Sequence, residues 1–144
     1  MNWLKKLLSK KSNKGLYYDS SAASILWNDA VGVAILKWKK RVEAEKYRDI
    51  CKRTLDLLET KKCTKWYENR EKLGEPSGSD MQWFHTTFRE QLLANNIKKQ
   101  AILIGSHAYS KKKYESWLYQ LADDGTECRY FDEKKEAVRW LIKV

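Results

Sequence analysis

Few residues of this chain stand in a spacing that supports catalysis or metal binding. The two histidines, His85 and His107, belong to no H-E-x-x-H motif, and the three cysteines form no C-x-x-C pair. No glycine-rich phosphate loop follows a predicted strand. Carboxylates are numerous, but on charged helices they are typical of solvated faces. We therefore predict that the chain is not an enzyme and has no catalytic residue, no metal site and no cofactor.

One group of polar side chains stands out because each follows a predicted strand. Asn69 and Arg70 follow one strand, and Ser106 and His107 follow the next. Ligands of parallel sheets bind beyond the carboxyl ends of the strands, where helix N-termini point partial positive charge. The Arg70 guanidinium suits an anion there. We predict a ligand or partner surface at these four residues; in the competing interpretation, Asn69 and Arg70 only anchor their loop.

The elements that position these residues follow the order β-β-α-β-α-β-α-β-α. Strands are predicted over 24–27, 31–38, 63–68, 100–105 and 126–131, and helices over 42–59, 79–94, 111–122 and 133–144. Residues 28–30 are a hairpin signal, and strictly alternating strands and helices from residue 31 onward require parallel strands with right-handed crossovers. The prediction is a single-domain α/β fold: a mixed, mostly parallel sheet with an N-terminal β-hairpin and helices packed on both faces.

Side-chain patterns predict which residues of these elements are buried. One face of the second strand carries Val31, Val33 and Ile35, and the other carries Ala34, Leu36 and Trp38. A strand that is apolar on both faces is typical of a sheet covered on both faces. Trp66 is predicted to be deeply buried in an interior strand. Cys51 lies on the apolar face of the first helix, which indicates a buried, inert thiol.

Composition assigns the chain to one basic domain with a distinct N-terminal segment. The 144 residues are 42% hydrophobic, which is enough for one core, and three cysteines without paired spacing indicate a reducing, cytoplasmic compartment. Of the net charge of +10, five charges come from lysines within residues 1–14, which hold no acid. We therefore divide the chain into a basic amphipathic segment, residues 1–15, and an α/β domain, residues 16–144.

The N-terminal segment has an apolar face at helical spacing, formed by Trp3, Leu4, Leu7 and Leu8. Three interpretations remain open. The face inserts into a membrane interface, with the lysines near anionic headgroups, or it packs on the domain or on a sister chain, or the segment is disordered. The lysine clusters at 37–41 and 111–113 do not indicate nucleic-acid binding, because Trp38 alternates with its lysines as a buried strand residue does.

A spaced series of motifs gives the chain a resemblance to a known family. The series runs Lys65-Trp66 with Asn69-Arg70, then Asp80-x-Gln82-Trp83, then Arg129-Tyr130-Phe131-Asp132 with Glu136-Ala137 and Trp140-Leu141. Over residues 22–142 it resembles the SpoIIAA-like proteins of the STAS superfamily, small bacterial relatives of anti-sigma-factor antagonists. The resemblance implies a STAS/SpoIIAA-like fold and a non-catalytic regulatory module that binds a protein partner or a second copy of itself.

The resemblance also directs attention to the serines before the second helix. Partner-switching members are phosphorylated on a serine in an Asp-Ser-Ser-Gly-like turn, whereas this loop reads Glu75-Pro76-Ser77-Gly78-Ser79-Asp80. Ser79 is nearest the phospho-acceptor position, with Ser77 beside it. The stretch from Ser79 to Gln82 also fits a capping box, which predicts Ser79 as the helix N-cap. Asp19-Ser20-Ser21 precedes the first predicted strand, and we do not assign it this role.

Two functions are therefore expected from different classes. The first is a regulatory or protein-interaction module that uses the surface near residues 69–80. The second is a small-ligand or lipid-binding module that residues 1–14 attach peripherally to a membrane.

Overall fold

Six strands pair in the order in which they occur along the chain. The computed structural model describes residues 15–104 and 125–143. Its strands are β1 (Leu16–Asp19), β2 (Ala23–Asn28), β3 (Val33–Trp38), β4 (Lys65–Asn69), β5 (Lys99–Leu103) and β6 (Glu127–Phe131). β1, β2 and β3 pair antiparallel, and β3 to β6 pair parallel. The predicted mixed, mostly parallel sheet and its β2–β3 hairpin are confirmed.

Helices cover both faces of this sheet. They are α1 (Ala44–Lys61), α2 (Gly78–Trp83), α3 (Arg89–Ala94) and α4 (Lys134–Ile142). A π-helical segment, Phe84–Phe88, joins α2 to α3, so residues 78–94 form one continuous helical stretch. The predicted helix at 111–122 lies outside the described residues.

The larger core lies on what we call the first face of the sheet, under α1 and residues 78–94. The face of α1 that carries Cys51 follows the helical spacing i, i+3, i+4, i+7, and its six residues are all buried: Tyr47, Ile50, Cys51, Thr54, Leu55 and Leu58. Trp66 is 0% exposed and packs against the rings of Phe84 and Phe88. Burial raises the pKa of the Cys51 thiol well above its ordinary value. The predicted burial of Trp66 and of Cys51 is confirmed.

The second face of the sheet carries a smaller core under α4. Ala137, Val138 and Leu141 of α4 pack with Tyr67 and Leu103 of the sheet. Val33 belongs to this core, whereas Ala34, Leu36 and Trp38 belong to the first, so the two predicted faces of β3 are confirmed. Trp140, which the spacing of α4 would also place inward, is only half-buried at the edge of this core, and the cations of Lys99 and Arg129 lie over its ring at 5.1 and 5.2 Å.

The sequence did not predict β1. Asp19 ends this strand and Ser20 starts the turn into β2, so it was wrong that Asp19-Ser20-Ser21 precedes the first strand. Gly15 enters β1 with φ +84°, and its carbonyl accepts a hydrogen bond from the Trp27 amide at 2.7 Å. A Cβ here would lie 2.1 Å from the Trp27 carbonyl oxygen, so only glycine fits.

The basic run after β3 is largely paired within the molecule. Trp38 is buried, as predicted, while Lys39 contacts Asp19 at 2.5 Å and Arg41 contacts Glu43 at 2.7 Å. Within the described residues, no helix combines the length and apolar content needed to cross a bilayer.

Candidate functional site

The residues predicted as a site lie at the carboxyl end of β4, on the edge where the parallel strands finish. Asn69 is 8% exposed, and its Oδ1 accepts a hydrogen bond from the Glu71 amide at 3.0 Å, which closes the turn after the strand. The Arg70 amide donates to the Leu103 carbonyl at 2.8 Å and so extends the pairing with β5. Ser106 and His107 lie outside the described residues, so a site that unites all four residues stays a prediction.

The Arg70 side chain points into the core, where it forms an ion pair with Glu68. Both side chains are 0% exposed, and the Arg70 Nε donates to Glu68 Oε2 while Nη2 lies 3.4 Å from Oε1. Trp38 Nε1 donates to the same carboxylate at 2.9 Å, and Arg70 Nη2 donates to the Tyr47 hydroxyl at 3.2 Å. The guanidinium stacks 4.5 Å above the Phe84 ring. Arg70 is thus held by internal partners and does not face solvent as an anion-binding fork.

Alternation along β4 places this ion pair under the helices. Trp66, Glu68 and Arg70 are two residues apart, so all three point to the first face. Burial works to lower the pKa of Arg70, but the Glu68 carboxylate and the Tyr47 hydroxyl more than offset it, and the net pKa is well above its ordinary value. Burial acts in the opposite direction on the Tyr47 hydroxyl and raises its pKa well above the ordinary value. Arg70 therefore stays protonated, and Tyr47 neutral, at physiological pH.

A second buried carboxylate, that of Asp80, joins α2 to the start of α1. Its Oδ2 accepts from the Ala44 amide at 3.0 Å, and its Oδ1 lies 3.4 Å from Arg48 Nε. Glu43, the N-cap residue of α1, makes no side-chain capping bond, so Asp80 supplies the cap from another helix. The Asp80 side chain is 0% exposed.

Ser79 is not the N-cap of α2, which corrects the sequence prediction. The N-cap is Ser77, whose Oγ accepts from the Asp80 amide at 3.2 Å. Ser79 is exposed within the first turn, with its Oγ 3.3 Å from that of Ser77. The cap lies two residues earlier than predicted, and in this register the Asp80 carboxylate faces α1. Ser79 is accessible, as the predicted phospho-acceptor would have to be.

Next to these serines, a tryptophan and an arginine form a partly exposed patch. Trp83 is half-buried, stacks on Phe88 with ring centroids 5.0 Å apart, and meets Tyr47 edge-on at 6.2 Å. The Arg48 guanidinium lies 5.4 Å from the Trp83 ring centroid, and its side chain is 36% exposed. We call Arg48, Ser77, Ser79 and Trp83 the α1–α2 surface. Tyr47 connects this surface to the buried ion pair.

A buried histidine lies on the same helical stretch. His85, in the π-helical segment, places Nε2 2.8 Å from the Tyr130 hydroxyl of β6. Burial, with the nearby cations of Arg70 and Arg89, lowers the pKa of His85 to about 3. The imidazole is therefore neutral at physiological pH. In residues 15–104 and 125–143, no three His, Cys, Asp or Glu side chains come together in a way that could hold a metal ion.

Sequence reasoning missed Glu68, Tyr47 and Asp80 as parts of the site. One signal was present: opposite charges at Glu68 and Arg70, two residues apart, fall on the face of a strand predicted to be covered by helices. Such charges are retained in a core only when they are paired. No protein-family model matches this chain, and no curated protein gives a significant match.

Proposed function

We propose that this chain is a non-catalytic regulatory module of the STAS/SpoIIAA-like type that binds a protein partner through the α1–α2 surface. The observation that carries the proposal is the half-exposed Trp83 with the Arg48 guanidinium over its ring. Tryptophan and arginine dominate the binding energy of protein interfaces. Here both are held in place, Trp83 by Phe88 and Tyr47, and Arg48 by Asp80.

Preorganisation supports this choice of surface. A side chain already fixed in the free protein loses less entropy on binding than a mobile one. The stacked Trp83 and the Asp80-bound Arg48 meet that condition, unlike a solvated lysine. Two residues of the surface, Ser77 and Ser79, also lie in the stretch 69–80 near which the sequence predicts an interaction surface.

The exposed Ser79 supplies a way to regulate such a surface. A phosphate there adds about two negative charges at neutral pH. It would stand next in sequence to Asp80, whose carboxylate binds Arg48 and the first amide of α1. The added charge repels that carboxylate and offers Arg48 a second anionic partner. Phosphorylation would thereby alter the Trp83–Arg48 pair on which binding depends.

The test is site-specific photo-crosslinking in cells of the native host. A photoreactive residue replaces Gln82, which is exposed in α2, or Lys135, which is exposed in α4 and serves as the matched control. We expect a discrete crosslinked protein from position 82 and none from position 135. With that partner purified, Arg48→Ala and Trp83→Ala should each weaken binding at least about thirtyfold.

The outcome of the same experiment can contradict the proposal. Equal crosslinking from both positions, or affinities unchanged by Arg48→Ala and Trp83→Ala, would exclude the α1–α2 surface as the interface. Phosphopeptide mapping tests the regulatory step separately, with Ser79 as the expected phosphorylated residue.

A further inference from the structure

The helices cover the second face of the sheet unequally. α4 packs against β4, β5 and β6, whereas α1 contacts β2 and β3 from the first face. Over β1 and β2, the second face carries no helix among the described residues. The part of the second face over β1 and β2 therefore lies outside the cover that α4 provides.

An apolar row runs from beneath α4 onto this uncovered part. Strand register aligns Leu16, Leu26, Ile35 and Tyr67 side by side across β1 to β4. Tyr67 is 4% exposed under α4, Ile35 and Leu26 are half-buried, and Leu16 is 42% exposed. We call Leu16, Leu26 and Ile35 the apolar strip. Exposure increases toward β1, so the strip continues the second core without its cover.

The chain itself brings an apolar segment to this strip. Residues 1–14 join the domain at Gly15, whose carbonyl is bonded to the Trp27 amide next to Leu26. A segment tethered at the site it binds has a high effective concentration there, which favours it over a second molecule. Residues 105–124, in contrast, leave from β5 and return at β6, on the far side of the sheet.

Length and pattern also match. The apolar face from Trp3 to Leu8 would cover about 8 Å along a helix, and the strip crosses two strand spacings, about 10 Å. Trp3, Leu4, Leu7 and Leu8 lie on one helical face within that length. We propose that residues 1–14 dock on the apolar strip through this face, covering β1 to β3 as α4 covers β4 to β6. This inference is independent of the proposed function, because the α1–α2 surface lies on the other side of the sheet.

A thermodynamic cycle in the full-length chain tests the docking. Leu26→Ala changes the strip, Leu4→Ser with Leu7→Ser changes the segment, and urea unfolding is measured for each and for the combination. Docking predicts coupling: Leu26→Ala should lower the urea midpoint at least twice as much with the native segment as with the serine-substituted one. Leu16→Ser, at the exposed end of the strip, gives a milder second variant that preserves folding.

The control is Leu93→Ala, a half-buried leucine on α3 that lies away from the strip. Its effect should be the same with either segment. Additive effects of Leu26→Ala and of Leu16→Ser would overturn the proposal. The proposal would also be overturned if the coupling disappeared on dilution while the molecular mass in solution fell by half. The strip would then be covered by a second copy of the chain. Salt-sensitive attachment to phosphatidylserine vesicles through Trp3, without coupling, would assign the segment to a membrane instead.

Discussion

The buried ion pair of Arg70 and Glu68 is stable only as a pair. Arg70→Met removes the cation and leaves a carboxylate at 0% exposure, which we expect to lower the free energy of unfolding by about 3–5 kcal/mol. The double variant Glu68→Leu/Arg70→Met should recover part of that loss, because no uncompensated charge remains. Arg129→Met is the control: it removes an exposed ion pair with Glu127 and a cation over the Trp140 ring, and should lower the free energy of unfolding by no more than about 1 kcal/mol. Urea melts measure the stability of all three variants. Equal losses of unfolding free energy for Arg70→Met and Arg129→Met would contradict a buried Glu68–Arg70 ion pair.

His85 gives stability a dependence on pH. Its pKa is about 3 in the folded protein and about 6.5 in the unfolded chain, so between these values only the unfolded chain binds the proton. Stability is therefore lost as pH falls below about 6.5, and at pH 5 we expect about 2 kcal/mol less than at pH 7.5 from this residue. Urea melts of His85→Gln should lack this component. An unchanged pH profile in that variant would show that His85 is not the group responsible.

The hydrogen-bond partners of the Glu68–Arg70 ion pair could not be predicted from the sequence. Glu68 and Arg70 could be placed on one strand face, but their further partners come from far along the chain. Trp38 is 30 positions from Glu68, and Tyr47 is 23 positions from Arg70. A hydrogen bond between such residues depends on how α1 and β3 pack, and no local pattern encodes it.

At the scale of elements, Ser77 and Ser79 look equivalent in sequence but have different roles at the start of α2. Ser77→Ala removes the acceptor for the Asp80 amide and should cost about 1 kcal/mol. Ser79→Ala removes only the exposed hydroxyl contact with Ser77 and should cost less than about 0.5 kcal/mol. Chemical denaturation of the two variants shows which serine is the N-cap. A larger loss of unfolding free energy for Ser79→Ala than for Ser77→Ala would mean that Ser79 is the cap.

Trp66 joins β4 to the helical stretch above it. Trp66→Ala deletes an indole at 0% exposure that packs on Phe84 and Phe88, and we expect a loss of about 3–5 kcal/mol. The half-buried Trp140 of α4 is the comparison, and Trp140→Ala should cost clearly less. If Trp66→Ala cost under about 1 kcal/mol in urea melts, the packing of this layer would be in error.

The elements that could be predicted are those whose side chains repeat with a clear period. The alternation over 31–38 assigned both faces of β3 correctly, because each face buries its residues under a different layer. The helical period likewise gave the inward face of α1. β1 escaped prediction because its four residues are mostly exposed, so no period distinguishes them from the segment before them. The N-cap of α2 was predicted wrongly because Ser77 and Ser79 both precede the helix by residue type, and the sequence does not show which hydroxyl accepts the capping hydrogen bond.

At the scale of the whole molecule, the protection of backbone amides from hydrogen exchange should depend on how far each strand lies from the edge of the sheet. β4 and β5 are interior strands buried on both faces, whereas β1 is an edge strand with an exposed burial pattern. We expect amide hydrogen exchange to be slowest in β4 and β5 and fastest in β1, since local opening costs least where few apolar contacts hold the backbone. Mass spectrometry of peptides from each strand measures this order, and exchange in β4 as fast as in β1 would contradict the described sheet.

The consecutive order of the six strands also bears on how the protein is made. Among the described residues, each strand from β2 onward pairs with the strand that comes before it in the sequence. A nascent chain leaving the ribosome therefore finds the partner of each of these strands already synthesised, and none of the described strands has to insert between two that have already met. The sheet can grow at one edge in step with translation, which keeps each unpaired strand edge short-lived during synthesis.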